Sequence, residues 1–115
     1  MNREFKFRAW DKDENVMFYP VVIDYGDYSL RDLTGRWHDM INCELLQYIG
    51  FEDCNGREIY EGDILKRENN FFGEEIGIVV YVSGIPCLTT KTNVFPFNCL
   101  YLSDWSITGC IYAEK

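Results

Sequence analysis

The chain has 115 residues, a formal net charge of −8 and an aromatic content of 17%. This length fits one domain with its own core, and a hydrophobic content of 47% excludes an intrinsically disordered chain. The acidic excess counts against electrostatic binding to nucleic acids or anionic membranes, because such binding needs clustered Lys and Arg. With no apolar run of ~18 residues and no apolar N-terminal signal core, we expect a soluble, cytosolic protein.

The N-terminal region alternates apolar and polar residues, a pattern typical of half-buried strands. The alternation from Phe5 to Trp10 predicts one strand, and Val16 to Ile23 predicts a second, with an edge or bulge at Pro20. Together these strands predict a hairpin. Residues 24–43 are less regular, and one or two helical turns stay open there. For Glu44 to Ile49 a strand is favoured over a helix.

The C-terminal region contains further short strands separated by turns. The pair Asn55-Gly56 predicts a type I′ turn, because Asn and Gly best tolerate a positive φ at both central positions. A strand is predicted to begin at Ile64, and residues 67–75 are predicted to form a polar loop. Four more strands are predicted at Ile76–Val82, Ile85–Thr90, Val94–Leu102 and Trp105–Ala113. The spacing predicts a mainly β fold, a small antiparallel barrel or sandwich with little helix.

The two ends and the middle of the chain resemble one known family. The segment Leu46–Asp53 reads LQYIGFED, the segment Asn55–Ile64 reads NGREIYEGDI, and both resemble the hallmark of the YopX family of phage and prophage proteins. The segments Arg3–Asp11 and Ile107–Tyr112 resemble the opening and closing strands of that family. Cys110 departs from the Asn that is usual at its position.

The resemblance implies an architecture but no chemistry. It implies a single domain over residues 1–115, with an N-terminal β-hairpin region at about 1–43. The central motif and a small SH3-like barrel would occupy about 44–115. The resemblance implies no activity, cofactor or catalytic residue.

The residues of the central motif are predicted to have a structural role. Its three glycines are expected at turns or bulges where a Cβ would clash, and Tyr48 and Tyr60 are expected to pack across a hairpin. Asp63 is expected to accept backbone N–H bonds in a tight turn. A ligand site that uses Glu58, Glu61 and Asp63 is the alternative. The motif residues are Gln47, Tyr48, Gly50, Asp53, Asn55, Gly56, Ile59, Tyr60, Glu61, Gly62, Asp63 and Ile64.

The sequence lacks the signatures of catalysis and metal binding. His38 is the only histidine, and we expect it at a surface or an interface. The five cysteines lack the close pairs of a zinc site and are expected to be small buried hydrophobes. The segment Asp53–Gly56 fails as a calcium loop, because Phe51 and Gly62 would stand where acidic ligands are needed. We therefore predict no catalytic residue, no metal ligand and no cofactor.

The aromatic residues near the predicted loops leave two interpretations open, a core of large rings or an interaction surface. The candidate surface residues are Phe71, Phe72, Phe95, Phe97 and Trp105. The leading functional hypothesis is a non-enzymatic phage or prophage accessory protein in the bacterial cytoplasm, which self-associates or binds a host or phage protein. One alternative is an acidic inhibitor that mimics nucleic acid and binds a basic host protein. A small metal-dependent hydrolase is less favoured.

Overall fold

The computed structural model describes residues 6–69 and 73–112, which form antiparallel β structure without an α-helix. The predicted mainly β fold with little helix is therefore confirmed. No helix in the described ranges is long and apolar enough to cross a membrane. The chain divides between Gln47 and Tyr48 into two compact units, the N-terminal unit and the C-terminal unit.

The strands of the described residues are short, and three single turns of 3-10 helix lie between them. The turns are Met40–Asn42, Phe97–Cys99 and Leu102–Asp104. The strands are β1 (Phe7–Asp11), β2 (Val16–Phe18), β3 (Val22–Asp24), β4 (Ser29–Arg31), β5 (Trp37–Asp39), β6 (Cys43–Glu52), β7 (Glu58–Tyr60), β8 (Asp63–Asn69), β9 (Gly73–Val82), β10 (Ile85–Thr89), β11 (Val94–Pro96) and β12 (Ser106–Cys110).

In the N-terminal unit, β1 pairs with β2 on one side and with the first half of β6 on the other. The predicted hairpin is confirmed, but its second strand ends at Phe18, two residues before Pro20, and the chain resumes as β3. Strands β3, β4 and β5 form an antiparallel meander in the segment where the sequence leaves helical turns open. Only Met40–Asn42 is helical there. The buried core of this unit is Ala9, Phe18 and Leu30.

In the C-terminal unit, the second half of β6 pairs with β7, which confirms the strand predicted from Glu44. Five strands, in the order β11-β10-β9-β8-β12, form a sheet that curls into a half-barrel. The loop predicted at 67–75 is wrong over most of its length, because β8 and β9 stay in register as far as the pair Asn69 and Gly73. The buried core of this unit is Ile49, Ile59, Leu65, Val79, Leu88, Phe97 and Trp105.

The turn at Asn55-Gly56 differs from the predicted type I′ turn. The Gly56 N–H donates to the Asp53 carbonyl, and the Asp53 N–H donates to the Arg57 carbonyl. Gly56 has a φ of +78°, whereas Asn55 is not among the residues with positive φ. The loop is therefore a type I turn followed by one left-handed glycine. The Asp53 carboxylate favours this form, because it accepts the N–H groups of Asn55 and Arg57, both at 2.9 Å.

Candidate functional site

The only histidine is buried, so the prediction of a surface or interface position is wrong. His38 is the middle residue of β5, between the exposed Trp37 and Asp39, and its own exposed fraction is 3%. Its ring stacks on the Phe18 ring with a centroid distance of 4.0 Å and an interplanar angle of 15°. Strand alternation therefore turns the imidazole towards the core of the N-terminal unit.

Both imidazole nitrogens of His38 face carboxylates. Nδ1 lies 2.7 Å from Asp11 Oδ2, and Nε2 lies 2.8 Å from Asp32 Oδ2. Asp11 is the last residue of β1, and its other oxygen accepts the N–H groups of Asp13 and Glu14. The imidazole thus joins the end of β1 to the β4–β5 turn.

The second carboxylate, Asp32, begins the turn between β4 and β5. Its Oδ1 accepts the Thr34 hydroxyl at 2.6 Å and the N–H groups of Thr34 and Arg36. The Gly35 N–H donates to the Asp32 carbonyl, and Gly35 has a φ of +90°. A glycine fits this left-handed position without the penalty that a Cβ would bring. The hydrogen bonds within the turn therefore orient the Asp32 carboxylate, whose other oxygen faces His38.

The electrostatics of this cluster favour a charged imidazole. Burial opposes the charge of His38, but the hydrogen bonds that its ring donates to Asp11 and Asp32 outweigh burial and raise its pKa above the ordinary value of 6.5. Burial likewise raises the pKa of Asp11, yet its hydrogen bonds from His38 and the backbone leave it below the ordinary value. The Thr34 hydroxyl, followed by His38, lowers the pKa of Asp32. An imidazolium between two carboxylates is the resulting state, with both ring nitrogens donating.

This arrangement limits the chemistry of His38. A histidine acts as a base, nucleophile or metal ligand through an unprotonated nitrogen, and here both nitrogens are engaged by carboxylates. Single ligand atoms of Asp11, Glu14 and His38 do lie within 4.8 Å of one another. Glu14, however, is paired with the Arg36 guanidinium at 2.6 Å. The hydrogen bonds of His38, Asp11 and Asp32 therefore support a structural role for this cluster.

The central motif places its own buried carboxylates against backbone N–H groups. Asp63 is 1% exposed and accepts the Tyr60 N–H at 2.8 Å, as predicted for that turn. Asp53 is 6% exposed, and its Oδ2 accepts the Ile107 N–H at 2.9 Å. Burial raises the pKa of Asp53, but the N–H groups of Ile107, Arg57 and Asn55 outweigh it and lower that pKa. The Asp63 carboxylate therefore stabilises the turn after β7, and the Asp53 carboxylate joins its own turn to β12.

The tyrosines and glycines of the motif follow the predicted pattern in part. Tyr48 and Tyr60 are opposite each other in β6 and β7, with ring centroids 5.6 Å apart, as predicted. Gly50 lies at the register shift of β6, and all three motif glycines have positive φ. The predicted Cβ clash is wrong at Gly50 and Gly56, where a Cβ would meet nothing within 4 Å. Backbone conformation, not space, requires glycine at those two positions.

The remaining motif residues are spread over both sides of the strands. Ile59 is in the core, while Gln47, Glu61 and Ile64 are half-buried and Asn55 is exposed. Two of the three residues of the alternative ligand site are engaged by Tyr60. The Asp63 carboxylate accepts the Tyr60 backbone N–H, and Glu58 accepts the Tyr60 hydroxyl at 3.4 Å.

The predicted aromatic interaction surface is wrong at two of its described residues, which lie in the core. Phe97 and Trp105 are 1% and 0% exposed and belong to the core. Phe95 is half-buried on β11 opposite the buried Leu88, so it lies on the core side of the sheet. The other two candidates, Phe71 and Phe72, lie outside the described residues.

An aliphatic patch occupies the other side of the five-stranded sheet. Residues directly opposite in antiparallel strands share a face, and the register pairs Ile78 with Ile64, Val82 with Ile85, and Thr89 with both Ile78 and Val94. We call this surface the outer face. Its exposed members are Ile76 (53%), Ile78 (37%), Val82 (45%), Ile85 (54%) and Val94 (54%). The sequence feature that could have indicated this exposed patch is the apolar run of β9, which places hydrophobic residues on both sides of the strand.

The expectation that all cysteines are buried is also wrong in part. Cys54 and Cys99 are exposed, Cys43 is partly buried, and Cys87 and Cys110 are buried. Cys54 is a central residue of the Asp53 turn, and Cys99 ends a 3-10 turn, so neither lies on the core side of a strand.

Comparison with known proteins gives one matching family, and the similar solved structures include two proteins of bacterial origin. The family model "YopX protein" matches residues 6–114. Protein EF1440 from Enterococcus faecalis is 21% identical with a TM-score of 0.69, over 97% of this chain and 96% of that chain. Protein yopX from Bacillus subtilis is 18% identical with a TM-score of 0.66, over 95% of this chain and 94% of that chain. The search of curated proteins gives no match. At these identities, the structural likenesses show a shared fold alone.

Proposed function

The chain belongs to the YopX family, and we propose that it is a non-enzymatic phage or prophage accessory protein that associates with a second copy of itself. In this proposal it acts in the bacterial cytoplasm, and its C-terminal unit is an SH3-like barrel. The observation that supports self-association is the outer face, where five aliphatic side chains stay 37–54% exposed on adjacent strands. Contiguous exposed apolar patches on sheets mark interaction sites.

A second copy is the occupant that this surface fits best. The exposed patch is aliphatic, and Lys66 lies opposite Ile76 on the same face. A basic partner would be recognised by carboxylates, whereas the five exposed members of this patch are aliphatic. Two outer faces can stack as sheets do, about 10 Å apart, with β-branched side chains interdigitating. A two-fold axis between them closes the assembly as a dimer.

The electrostatic repulsion between two acidic copies opposes this association and makes its strength depend on the salt concentration. Each chain carries −8, so salt reduces the repulsion between them. We therefore expect dimerisation to strengthen as salt rises. Docking of a basic protein onto surface carboxylates would weaken with salt.

The experiment measures molar mass by light scattering over a range of protein concentrations, at low and high salt. The wild type is expected to form a concentration-dependent dimer, and Ile76→Lys and Ile85→Lys are each expected to raise its Kd at least about tenfold. The matched control is Ile41→Lys, since Ile41 is 79% exposed but belongs to the N-terminal unit. Far-UV circular dichroism and the urea midpoint confirm folding of each variant.

Three results would contradict the proposal. They are a wild type that stays monomeric at the highest concentration, a dimer that Ile76→Lys and Ile85→Lys leave intact, and a dimer that salt dissolves. A monomer that captures a basic nucleic-acid-binding protein at low salt would favour the acidic inhibitor instead.

A further inference from the structure

The His38 imidazole joins the β4–β5 turn to the end of β1, and it donates to both carboxylates only while both of its nitrogens are protonated. We propose that the His38 imidazolium is a pH-sensitive latch, and that loss of its proton frees the β4–β5 turn at Asp32 while the contact with Asp11 persists. The latch needs both ring nitrogens to donate, at 2.7 Å to Asp11 and at 2.8 Å to Asp32. A neutral imidazole has one N–H, so one of the two contacts must be lost.

Burial decides which contact is lost. The side chain of Asp11 is 4% exposed, and that of Asp32 is 14% exposed at the start of a surface turn. A carboxylate that faces a lone pair must gain water in place of the lost N–H, and Asp32 reaches water more easily. The neutral ring therefore keeps its proton on Nδ1, where it continues to donate to Asp11.

The other groups near the ring do not replace the lost charge. Strand β2 contributes the uncharged Phe18 ring, and the turn after β1 contributes Glu14, which Arg36 neutralises. Strand β6 contributes Cys43, which packs on the same core cluster. Burial raises the pKa of Cys43 to about 11, and the thiol stays neutral over the relevant range. After deprotonation the two carboxylates, Asp11 and Asp32, face each other's charge without a cation between them.

The direction of the pH dependence follows from linkage. The pKa of His38 is raised on folding, so the latch contributes its full stability below the ordinary value of 6.5. That contribution is lost as pH rises through the folded-state pKa. The turn is therefore expected to be closed below pH 6.5 and to open as the pH rises through the folded-state pKa of His38.

The turn at Asp53 is a built-in control. Asp53 Oδ1 likewise accepts the N–H groups two and four residues further along, from Asn55 and Arg57, but its second oxygen accepts the backbone N–H of Ile107, which does not titrate. Opening of the latch is therefore expected to affect Thr34 and Arg36 and to spare Asn55 and Arg57.

The test is an NMR titration of the full chain. The ¹⁵N shifts of the His38 ring are expected to give a pKa above 6.5 and, at high pH, the Nδ1–H tautomer. Amide exchange at Thr34 and Arg36, relative to Asn55 and Arg57, is expected to accelerate about tenfold across this titration, the factor for one lost charged hydrogen bond. Asp32→Asn keeps the Oδ1 acceptor of the turn and is expected to lower the His38 pKa.

Each opposite result would overturn the latch. A His38 pKa at or below 6.5, or an Nε2–H tautomer, would show that Asp32 does not hold the proton as proposed. Equal acceleration at both turns would mean that deprotonation unfolds the chain as a whole. An unchanged His38 pKa in Asp32→Asn would remove Asp32 from the mechanism.

Discussion

Asp32 and Asp53 hold the same position in two turns, and each accepts the same pair of backbone N–H groups. In each turn, Oδ1 accepts the N–H groups two and four residues further along the chain. Each turn is closed by a backbone bond from its glycine, Gly35 or Gly56, to the aspartate carbonyl. The segments read DLTGR and DCNGR, so one short pattern, Asp-x-x-Gly-Arg, builds both. The two turns differ in the Thr34 hydroxyl, which donates a further hydrogen bond to Asp32 Oδ1, and in the partner of Oδ2, which is His38 in one turn and the Ile107 N–H in the other.

Removing the Asp53 carboxylate should destabilise the C-terminal unit strongly. Asp53→Ala leaves the N–H groups of Asn55, Arg57 and Ile107 without their acceptor, and the expected loss is about 3 kcal/mol in the free energy of unfolding. Urea unfolding followed by tryptophan fluorescence measures it. Asp104→Ala, at an exposed position of the same unit, should change stability by less than about 0.5 kcal/mol. Similar losses in the two variants would contradict the role given to Asp53.

The same carboxylates predict loss of stability in acid. The pKa values of Asp11 and Asp53 lie below the ordinary value of 3.8, so their contribution is present above that value. It is lost as pH falls through the folded-state pKa values. The free energy of unfolding should therefore fall below pH ~4, and Asp53→Asn should be less stable at neutral pH but less sensitive to acid. A wild type and variant with parallel acid profiles would show that Asp53 does not carry this linkage.

Local patterns predicted several of the strands but not the side that becomes surface. Alternation and turn residues are short-range signals, and they located the β1–β2 hairpin and β6. In β9, however, Ile76 and Val79 are equally apolar, and only the register with β8 and β10 puts Val79 in the core and Ile76 outside. That choice depends on tertiary contacts, which a single sequence does not display.

The buried histidine was hidden for a similar reason. A three-residue strand such as Trp37–Asp39 is too short for its alternation to be recognised. The two carboxylates that bind His38 are 27 and 6 residues away from it. The repeated Asp-x-x-Gly-Arg pattern was the available signal, since it predicts a fixed aspartate with one free oxygen near His38. The type I′ prediction at Asn55-Gly56 failed because it considered the central residues and left out Asp53.

Two glycines should resist substitution for different physical reasons. Gly77→Ala would place a Cβ 2.7 Å from Leu88 Cγ, and this overpacking should cost about 1–3 kcal/mol. Gly56→Ala meets no atom within 4 Å but has a φ of +78°, so it should cost about 1 kcal/mol through the backbone. Urea unfolding in a Leu88→Val background separates the two. The shorter side chain should reduce the cost of Gly77→Ala and leave that of Gly56→Ala unchanged; equal coupling to Leu88 would contradict this assignment.

The cysteines should react with iodoacetamide in a fixed order. Cys54 and Cys99 are exposed and should react first, while Cys87 and Cys110 are buried and should react only after unfolding. Cys43 is partly accessible, but burial raises its pKa from 9.0 to about 11. Because the thiolate is the nucleophile, its rate should be roughly a hundredfold lower than that of an ordinary thiol. Mass spectrometry at successive times measures the order, with the Cys54→Ser/Cys99→Ser variant as the control that lacks the fast phase. Labelling of Cys43 within the fast phase would show that its thiol is not buried among the core residues of the N-terminal unit.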